Sequence, residues 1–165
     1  MKKKVLYHTN GQVKIICFRK NRLYEGEYNE WYDNGQPRVR SFYEKGKLVK
    51  EYKEWYQNGQ LRIHSSYVNG HMDGEYSSWH ENGQMSARYF YVNKIITGEY
   101  NSWFPNGIPY VQSFRDNGGG KYKAWRPNGE LYLECSYNIE KHTGECKEWN
   151  PGRTEVNHEY FINNK

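Results

Sequence analysis

The chain writes one phrase over and over. Glu30 to Gly46 reads EWYDNGQPRVRSFYEKG, and Glu54 to Gly70 reads EWYQNGQLRIHSSYVNG, twenty-four residues further on. An Asn-Gly dipeptide recurs at Asn10-Gly11, Asn34-Gly35, Asn58-Gly59, Asn82-Gly83, Asn106-Gly107 and Asn128-Gly129, with a degraded copy at Asn150-Pro151-Gly152. Trp31, Trp55, Trp79, Trp103, Trp125 and Trp149 keep the same beat; only the step from Trp103 to Trp125 is two residues short, between Asp116 and Gly120. A fixed period of this kind means that each unit buries its apolar face against its neighbours, because one unit alone has too little to bury.

Within the unit the signals are those of β-hairpins. Asn-Gly between β-favouring runs calls for positive φ, in a primed two-residue turn or a Gly-bulged three-residue loop. Gly35, Gly59, Gly83, Gly107 and Gly129 are therefore assigned to turns. Past each Gly the residues alternate with the two-residue period of a strand. Leu61, Ile63, Ser65 and Tyr67 take one face, and Arg62, His64 and Ser66 the other. The same columns place Val13, Ile15 and Cys17, then Val39, Ser41 and Tyr43, then Leu131, Leu133, Cys135 and Tyr137 on the apolar face. A looser second turn closes each unit at Lys45-Gly46, Asn69-Gly70, Asn93-Lys94 and near Asn117-Gly118. A two-residue turn at Asn69-Gly70 puts Ser65 opposite Gly74 and Ile63 opposite Tyr76. The same register sets Glu51 against Arg40, Glu75 against His64 and Glu99 against Arg88. Tyr76 and Trp79 are three apart, so they either face opposite ways or have a bulge between them.

The expected fold is all-β: an elongated single antiparallel sheet, a β-meander of repeated hairpins forming one array over residues 1–165. Approximate copies run over 5–25, 26–49, 50–73, 74–97, 98–119, 120–143 and a degraded cap at 144–165. Two strands per copy advance the sheet by roughly 10 Å, giving a ribbon on the order of 65 to 70 Å. Val, Ile, Leu and Phe are only 28 of 165 residues, a level that in a charged chain points to disorder. Seventeen Tyr and six Trp reverse that reading, since each ring buries a large apolar area with its polar edge near water.

Three stretches carry a resemblance. Gly26-Glu27-Tyr28-x-x-Trp31-Tyr32-x-Asn34-Gly35-Gln36, Gly74-Glu75-Tyr76-x-x-Trp79-x-x-Asn82-Gly83-Gln84 and Gly98-Glu99-Tyr100-x-x-Trp103-Phe104-x-Asn106-Gly107 resemble the variant form of the MORN (membrane occupation and recognition nexus) repeat. The likeness extends over about residues 5–160. It implies an elongated, twisted antiparallel sheet, of a kind found as stand-alone arrays in bacteria, some with an antitoxin label, and in large DNA viruses of amoebae. Departures are local: Lys50 replaces the unit's first Gly, Lys121 its Glu and Cys146 its Tyr, and Arg153-Thr154-Glu155 follows the last Gly.

Little in the pattern suggests chemistry. His8, His64, His71, His80, His142 and His158 fall in different columns of the repeat. Glu27, Glu51, Glu75, Glu99 and Glu145 do share one, but copies roughly 10 Å apart are too distant for paired-carboxylate catalysis. Asn117-Gly118-Gly119-Gly120 is read as a turn absorbing the two-residue deletion, not as a phosphate loop, since no helix follows. Three cysteines without paired spacing argue against a disulfide framework. Cys135 and Cys146 are placed diagonally on adjacent strands, where a bridge is geometrically conceivable, but the favoured reading is two reduced, packed thiols. No metal, cofactor or enzymatic activity is expected. No apolar run approaches 18 residues and no signal sequence opens the chain, so a soluble cytoplasmic protein is expected.

What the sequence offers is a surface. Opposite the apolar column stand Lys14 and Phe18, Arg38, Arg40 and Phe42, Arg62 and His64, and Arg88 and Phe90, the candidate binding residues. Charge is lopsided: residues 1–65 carry +7 and residues 66–165 carry −2 of the net +5. The favoured function is a non-enzymatic protein–protein interaction scaffold with an unidentified protein partner. The first alternative is a peripheral membrane module meeting anionic lipids through Lys2 to Lys4, Arg38, Arg40 and Arg62; the second is an antitoxin-like binder. Nucleic acid is disfavoured, because the acidic column would lie beside the phosphates. Exposed edge strands leave self-association open.

Overall fold

The computed structural model describes residues 1–116, 118–150 and 155–161, the last stretch as backbone only. Among them the elements are β1 (Lys2–Tyr7), β2 (Val13–Lys20), β3 (Leu23–Trp31), β4 (Pro37–Glu44), β5 (Lys47–Trp55), β6 (Leu61–Val68), β7 (His71–Trp79), β8 (Met85–Val92), β9 (Ile95–Trp103), β10 (Pro109–Arg115), β11 (Gly119–Trp125), β12 (Leu131–Asn138), β13 (Thr143–Trp149) and β14 (Glu155–Phe161). The fold is all-β, built of antiparallel hairpins. The chain divides into two compact units, Met1–Gln84 with Tyr91–Ile95, and Met85–Phe90 with Ile96–Lys165. In the first, β1 to β7 each pair with the next strand in sequence. In the second, β9 to β14 do the same.

The Asn-Gly that precedes each of β2, β4, β6, β8, β10 and β12 forms the Gly-bulged loop and not a primed two-residue turn. In the copy at Tyr32–Gln36, Gly35 N donates to Tyr32 O and Tyr32 N donates to Gln36 O, with Gly35 at φ 84°. The Asn has a separate task. Asn34 Oδ1 accepts from Gln36 N, while Asn34 Nδ2 donates to Gln57 O in the next copy. Asn10 and Asn58 reach the same way to Asp33 O and Glu81 O, and Asn106 to Pro127 O. The second turns at Lys45-Gly46, Asn69-Gly70 and Asn93-Lys94 hold both residues at positive φ, the two-residue primed form, and Asn21-Arg22 is a further example. Asn117, and Pro151 to Thr154 of the degraded last copy, lie outside the described residues.

The expected register is corrected. Val68 does pair with His71 across Asn69-Gly70, but beyond it Ser65 faces Tyr76, not Gly74, and Ile63 faces Ser78, not Tyr76. The cause is a bulge in which β7 has two more residues than β6 between Tyr67↔Met72 and Ser65↔Tyr76. The same irregularity occurs between β2 and β3 and between β4 and β5. At its centre the backbone is left-handed: Gly26 φ 94°, Lys50 φ 62°, Gly74 φ 97°. Arg40 consequently lies opposite Lys53 and not Glu51, and His64 opposite Ser77 and not Glu75.

The two-residue deletion removes this bulge. Between β10 and β11 the register runs unbroken from Val111↔Ala124 to Arg115↔Gly120, and β11 has seven residues where β9 has nine. The deletion is therefore absorbed within the strand pair and not by a turn at Asn117 to Gly120. Between β12 and β13 the register is also unbroken, and Cys135 stands directly opposite Cys146. The two are joined in a disulfide, Cα atoms 4.1 Å apart, which corrects the expectation of diagonal, reduced thiols.

The interior is made of small residues under tyrosine rings. Cys17, Ser41 and Ser65 occupy one repeat column on β2, β4 and β6 and are buried. Their neighbours across the strands are tyrosines: Tyr28 beside Cys17 and Ser41, Tyr52 and Tyr76 beside Ser65. A small side chain leaves room for rings to meet over it, as Tyr28 and Tyr43 do at 5.9 Å and Tyr52 and Tyr67 at 6.1 Å. In the second unit Ser102, Val111 and Ala124 line up in register and are buried.

The rings set an alkaline limit. Burial, reinforced by Glu30 and Glu54 respectively, holds the phenols of Tyr28 and Tyr52 well above the ordinary tyrosine range. Burial also raises Tyr43, Tyr67 and Tyr122. The folded state thus binds these protons more tightly than the unfolded one. Their stabilisation is complete below the ordinary tyrosine pKa of about 10 and is lost as pH rises through the folded values. Urea midpoints should fall steeply above that pH, with tyrosinate absorbance rising together with unfolding. Tyrosinate forming while the midpoint stays constant would contradict this.

Candidate functional site

The strand alternation of β3 to β5 separates the rings by face. Tyr28 pairs with Ser41 on the buried side, and Tyr52 with Ser65. The bulge beside Trp55 has its extra residue, Arg62, in β6, so β5 keeps its own alternation from Tyr52 to Trp55 and Trp55 projects the other way, where Arg40 Cζ lies 5.6 Å from its ring. Tyr and Trp of one copy therefore point to opposite faces.

On the tryptophan face, β3, β4 and β5 form an open depression of about 630 Å³. Trp31 and Phe42 are among its walls, with Arg40, Lys50 and Lys53 facing Glu27 and Glu51. Lys50 Nζ sits 4.0 Å from the Phe42 ring centroid. Glu51 holds Lys53 at 2.9 Å and His64 Nε2 at 3.4 Å, and Lys53 in particular keeps the Glu51 carboxyl below its usual pKa. Phe18 and Phe42 line a neighbouring depression of about 570 Å³ with Met1 and Gly26. Phe18, Arg40, Phe42 and His64 are thus brought to one surface. Arg88 and Phe90 stack on each other at 5.8 Å in the second unit.

Arg38 and Arg62 do not join them. A second bulge leaves Arg38 without a partner between Glu30↔Val39 and Trp31↔Pro37, and Arg62 likewise between Glu54↔Ile63 and Trp55↔Leu61. Both turn to the tyrosine face. Arg38 Nη1 donates to Glu30 Oε1 at 2.8 Å, and Tyr28 Oη donates to the other oxygen of the same carboxylate. Arg62, Glu54 and Tyr52 repeat the arrangement. Lys14 occupies the equivalent bulge position in β2, between Tyr7↔Val13 and Leu6↔Ile15.

The bulge residue also meets the residue after Trp. Arg38 lies over Tyr32 at 5.8 Å and Arg62 over Tyr56 at 5.6 Å. In the copy at β9–β10 the pair is Tyr110 on Phe104, and at β11–β12 it is exchanged, with Arg126 over Tyr132 at 5.0 Å. Cation and ring occupy either position, so the contact itself is what recurs. Exchanging the pair in the first unit, Tyr56→Arg with Arg62→Tyr, should recover part of the loss of either single change, by about 0.5–1 kcal/mol. A double-mutant cycle in urea measures it; strict additivity would mean that the rings and cations act independently.

Sequence reasoning did not place Trp31, Trp55, Lys50 or Lys53 at this surface. The signal available was the Tyr-x-x-Trp spacing, which on an unbroken strand sends the two rings to opposite faces. Among the described residues no helix is long and apolar enough to cross a membrane, and no cluster of three His, Cys, Asp or Glu side chains could hold a metal ion.

Comparison with known proteins agrees with the repeat. The MORN repeat variant family matches residues 24–45, 48–69 and 72–93. These matches cover β4, β6 and β8 entirely and β3, β5 and β7 except for the first residue of each. No curated protein matches the chain. MORN repeats generally act as protein- or membrane-interaction modules. With three consecutive matches in step with the hairpins described above, residues 24–93 form three MORN repeats of the variant type.

Proposed function

We propose that the chain is a non-enzymatic protein-interaction scaffold whose partner docks on the tryptophan face of β3 to β5. The observation that carries this reading is the pairing of cations with rings beside an open depression: Arg40 with Trp55, and Lys50 with Phe42. Trp, Tyr and Arg dominate the energetics of protein interfaces, because they bury much area at small entropic cost and make directed polar contacts. The acids Glu27 and Glu51 at the same depression disfavour a polyanion and favour a partner of mixed charge.

The test compares pull-downs from native lysate. Arg40→Glu combined with Phe42→Ala should abolish salt-sensitive capture of a defined protein. Arg38→Glu should leave capture intact, since Arg38 is bound to Glu30 on the opposite face. Equal loss with both variants would place the contact elsewhere. Co-flotation with phosphatidylserine vesicles in place of protein capture would select the membrane alternative.

A further inference from the structure

β1 departs from the repeat at one place. Twenty-four residues before Gly26-Glu27-Tyr28 stand Lys2, Lys3 and Lys4. Lys2 pairs with Arg19, Lys3 with Phe18 and Lys4 with Cys17, so the lysines project alternately to both faces. With Arg19, Lys20 and Arg22 they line a depression of about 610 Å³ that includes no carboxylate. Arg19 is fixed there by a hydrogen bond from Nη2 to Tyr24 Oη and by stacking on that ring at 4.5 Å. Three lysines, Leu6 and Tyr7 are exposed.

Among the described residues β1 also pairs on one side only. Its outer edge therefore presents a row of backbone donors and acceptors without a strand partner. Lysines on an edge ordinarily prevent pairing with another edge of the same kind. The repulsion that excludes a basic strand selects an acidic one, which is how a like-charge penalty becomes specificity.

We infer that the outer edge of β1 receives an acidic extended segment of a partner protein as an added antiparallel strand. This rests on the reading that the chain works by binding, but it concerns a second site, distinct from the tryptophan face. Antiparallel addition continues the pairing found throughout the first unit and makes the incoming sequence readable. Residues opposite Tyr7, Leu6 and Val5 are β-branched or aromatic. Those opposite Lys4, Lys3 and Lys2 are acidic, and consecutive acids are needed because the lysines alternate between faces. From its N-terminus the segment is three β-branched or aromatic residues followed by three carboxylates. Main-chain hydrogen bonds supply attachment and the side chains supply choice.

The probe is a fluorescent hexapeptide, Val-Thr-Val-Glu-Asp-Glu, titrated with the full chain and read by anisotropy. Binding should weaken as salt rises and should fall by about tenfold or more for the reversed sequence, which matches only a parallel strand. The same peptide with alternate backbone nitrogens methylated keeps its charge but cannot complete the ladder, and should also lose about tenfold or more. Changing Lys2, Lys3 and Lys4 together to Glu should abolish binding, with far-ultraviolet circular dichroism showing that the sheet persists. Equal binding of the methylated peptide would overturn strand addition in favour of a charge effect alone, as would displacement of both peptides alike by phosphatidylserine vesicles. Unchanged binding to the Glu variant would place the site elsewhere. Arg40→Glu with Phe42→Ala separates the two sites: peptide binding should survive it. Loss of partner capture by that variant, with the hexapeptide failing on the wild type, would leave the scaffold reading standing and remove this one.

Discussion

Gly59→Val is expected to lower the unfolding free energy by about 2–3 kcal/mol, because it forces a β-branched residue into the left-handed region. Gly59 has φ 87° and its N–H closes the loop onto Tyr56 O. An added Cβ would find Gln36 Oε1 at 3.5 Å, an ordinary contact, so the cost is one of backbone conformation and not of space. The converse change distinguishes this cause from general damage to a turn. Lys94 has φ 68° in the Asn93-Lys94 turn, where the neighbouring copy has Asn69-Gly70. Lys94→Gly should stabilise by about 1 kcal/mol. Urea midpoints at constant m-value measure both, and a Gly59→Val midpoint equal to wild type would remove the conformational account of the Asn-Gly loop.

Ser65→Leu should cost about 3 kcal/mol and act locally. Ser65 is 1% exposed and stands between Tyr52 and Tyr76. A larger side chain there displaces rings from the adjoining strands, the overpacking that costs about 1–3 kcal/mol and occasionally more. In a linear array the effect should remain with the neighbours. Hydrogen exchange should show β5 to β7 losing protection while β1 to β3 keep theirs. Uniform loss across the first unit would mean that these hairpins fold as one cooperative block.

The parts of this fold visible in the sequence are those fixed by local backbone chemistry. Asn-Gly marked the tight loops, since Gly supplies the positive φ, and the two-residue alternation marked the buried column of Cys17, Ser41 and Ser65. Register was not visible, because it depends on two kinds of bulge. One is centred on Gly26, Lys50 and Gly74, and Lys50 hides the pattern by placing a long side chain where glycine is expected. Missing it displaced the pairs inferred for Arg40 and His64 by two residues, whereas Cys135 was set diagonal to Cys146 because four residues, not two, separate Asn138 from Thr143. The other bulge turned Arg38 and Arg62 to the tyrosine face, where Glu30 and Glu54 hold them. Strict alternation had grouped them with Arg40. The candidate surface was thus legible at Phe18, Arg40, Phe42 and His64, whose positions follow alternation. It was not legible at Trp31 and Trp55, for which the extra residue of the adjoining bulge had first to be placed in β4 and β6 and not beside the tryptophan.

Contacts that join one copy to the next recur at a constant interval. Asn34 reaches Gln57 and Asn58 reaches Glu81, while Tyr32 reaches Trp55 O and Tyr56 reaches Trp79 O, each over 23 residues. Across the two-residue deletion Asn106 still reaches its carbonyl, at Pro127, over 21 residues. The acceptor in each case is a main-chain oxygen, which any amino acid provides. A DNA segment encoding one copy can therefore be duplicated in tandem and the new junction is satisfied at once, with no compensating substitution. Unequal recombination can lengthen such a gene in whole copies, and the surface residues, free of any duty at the junction, can then diverge copy by copy toward different ligands.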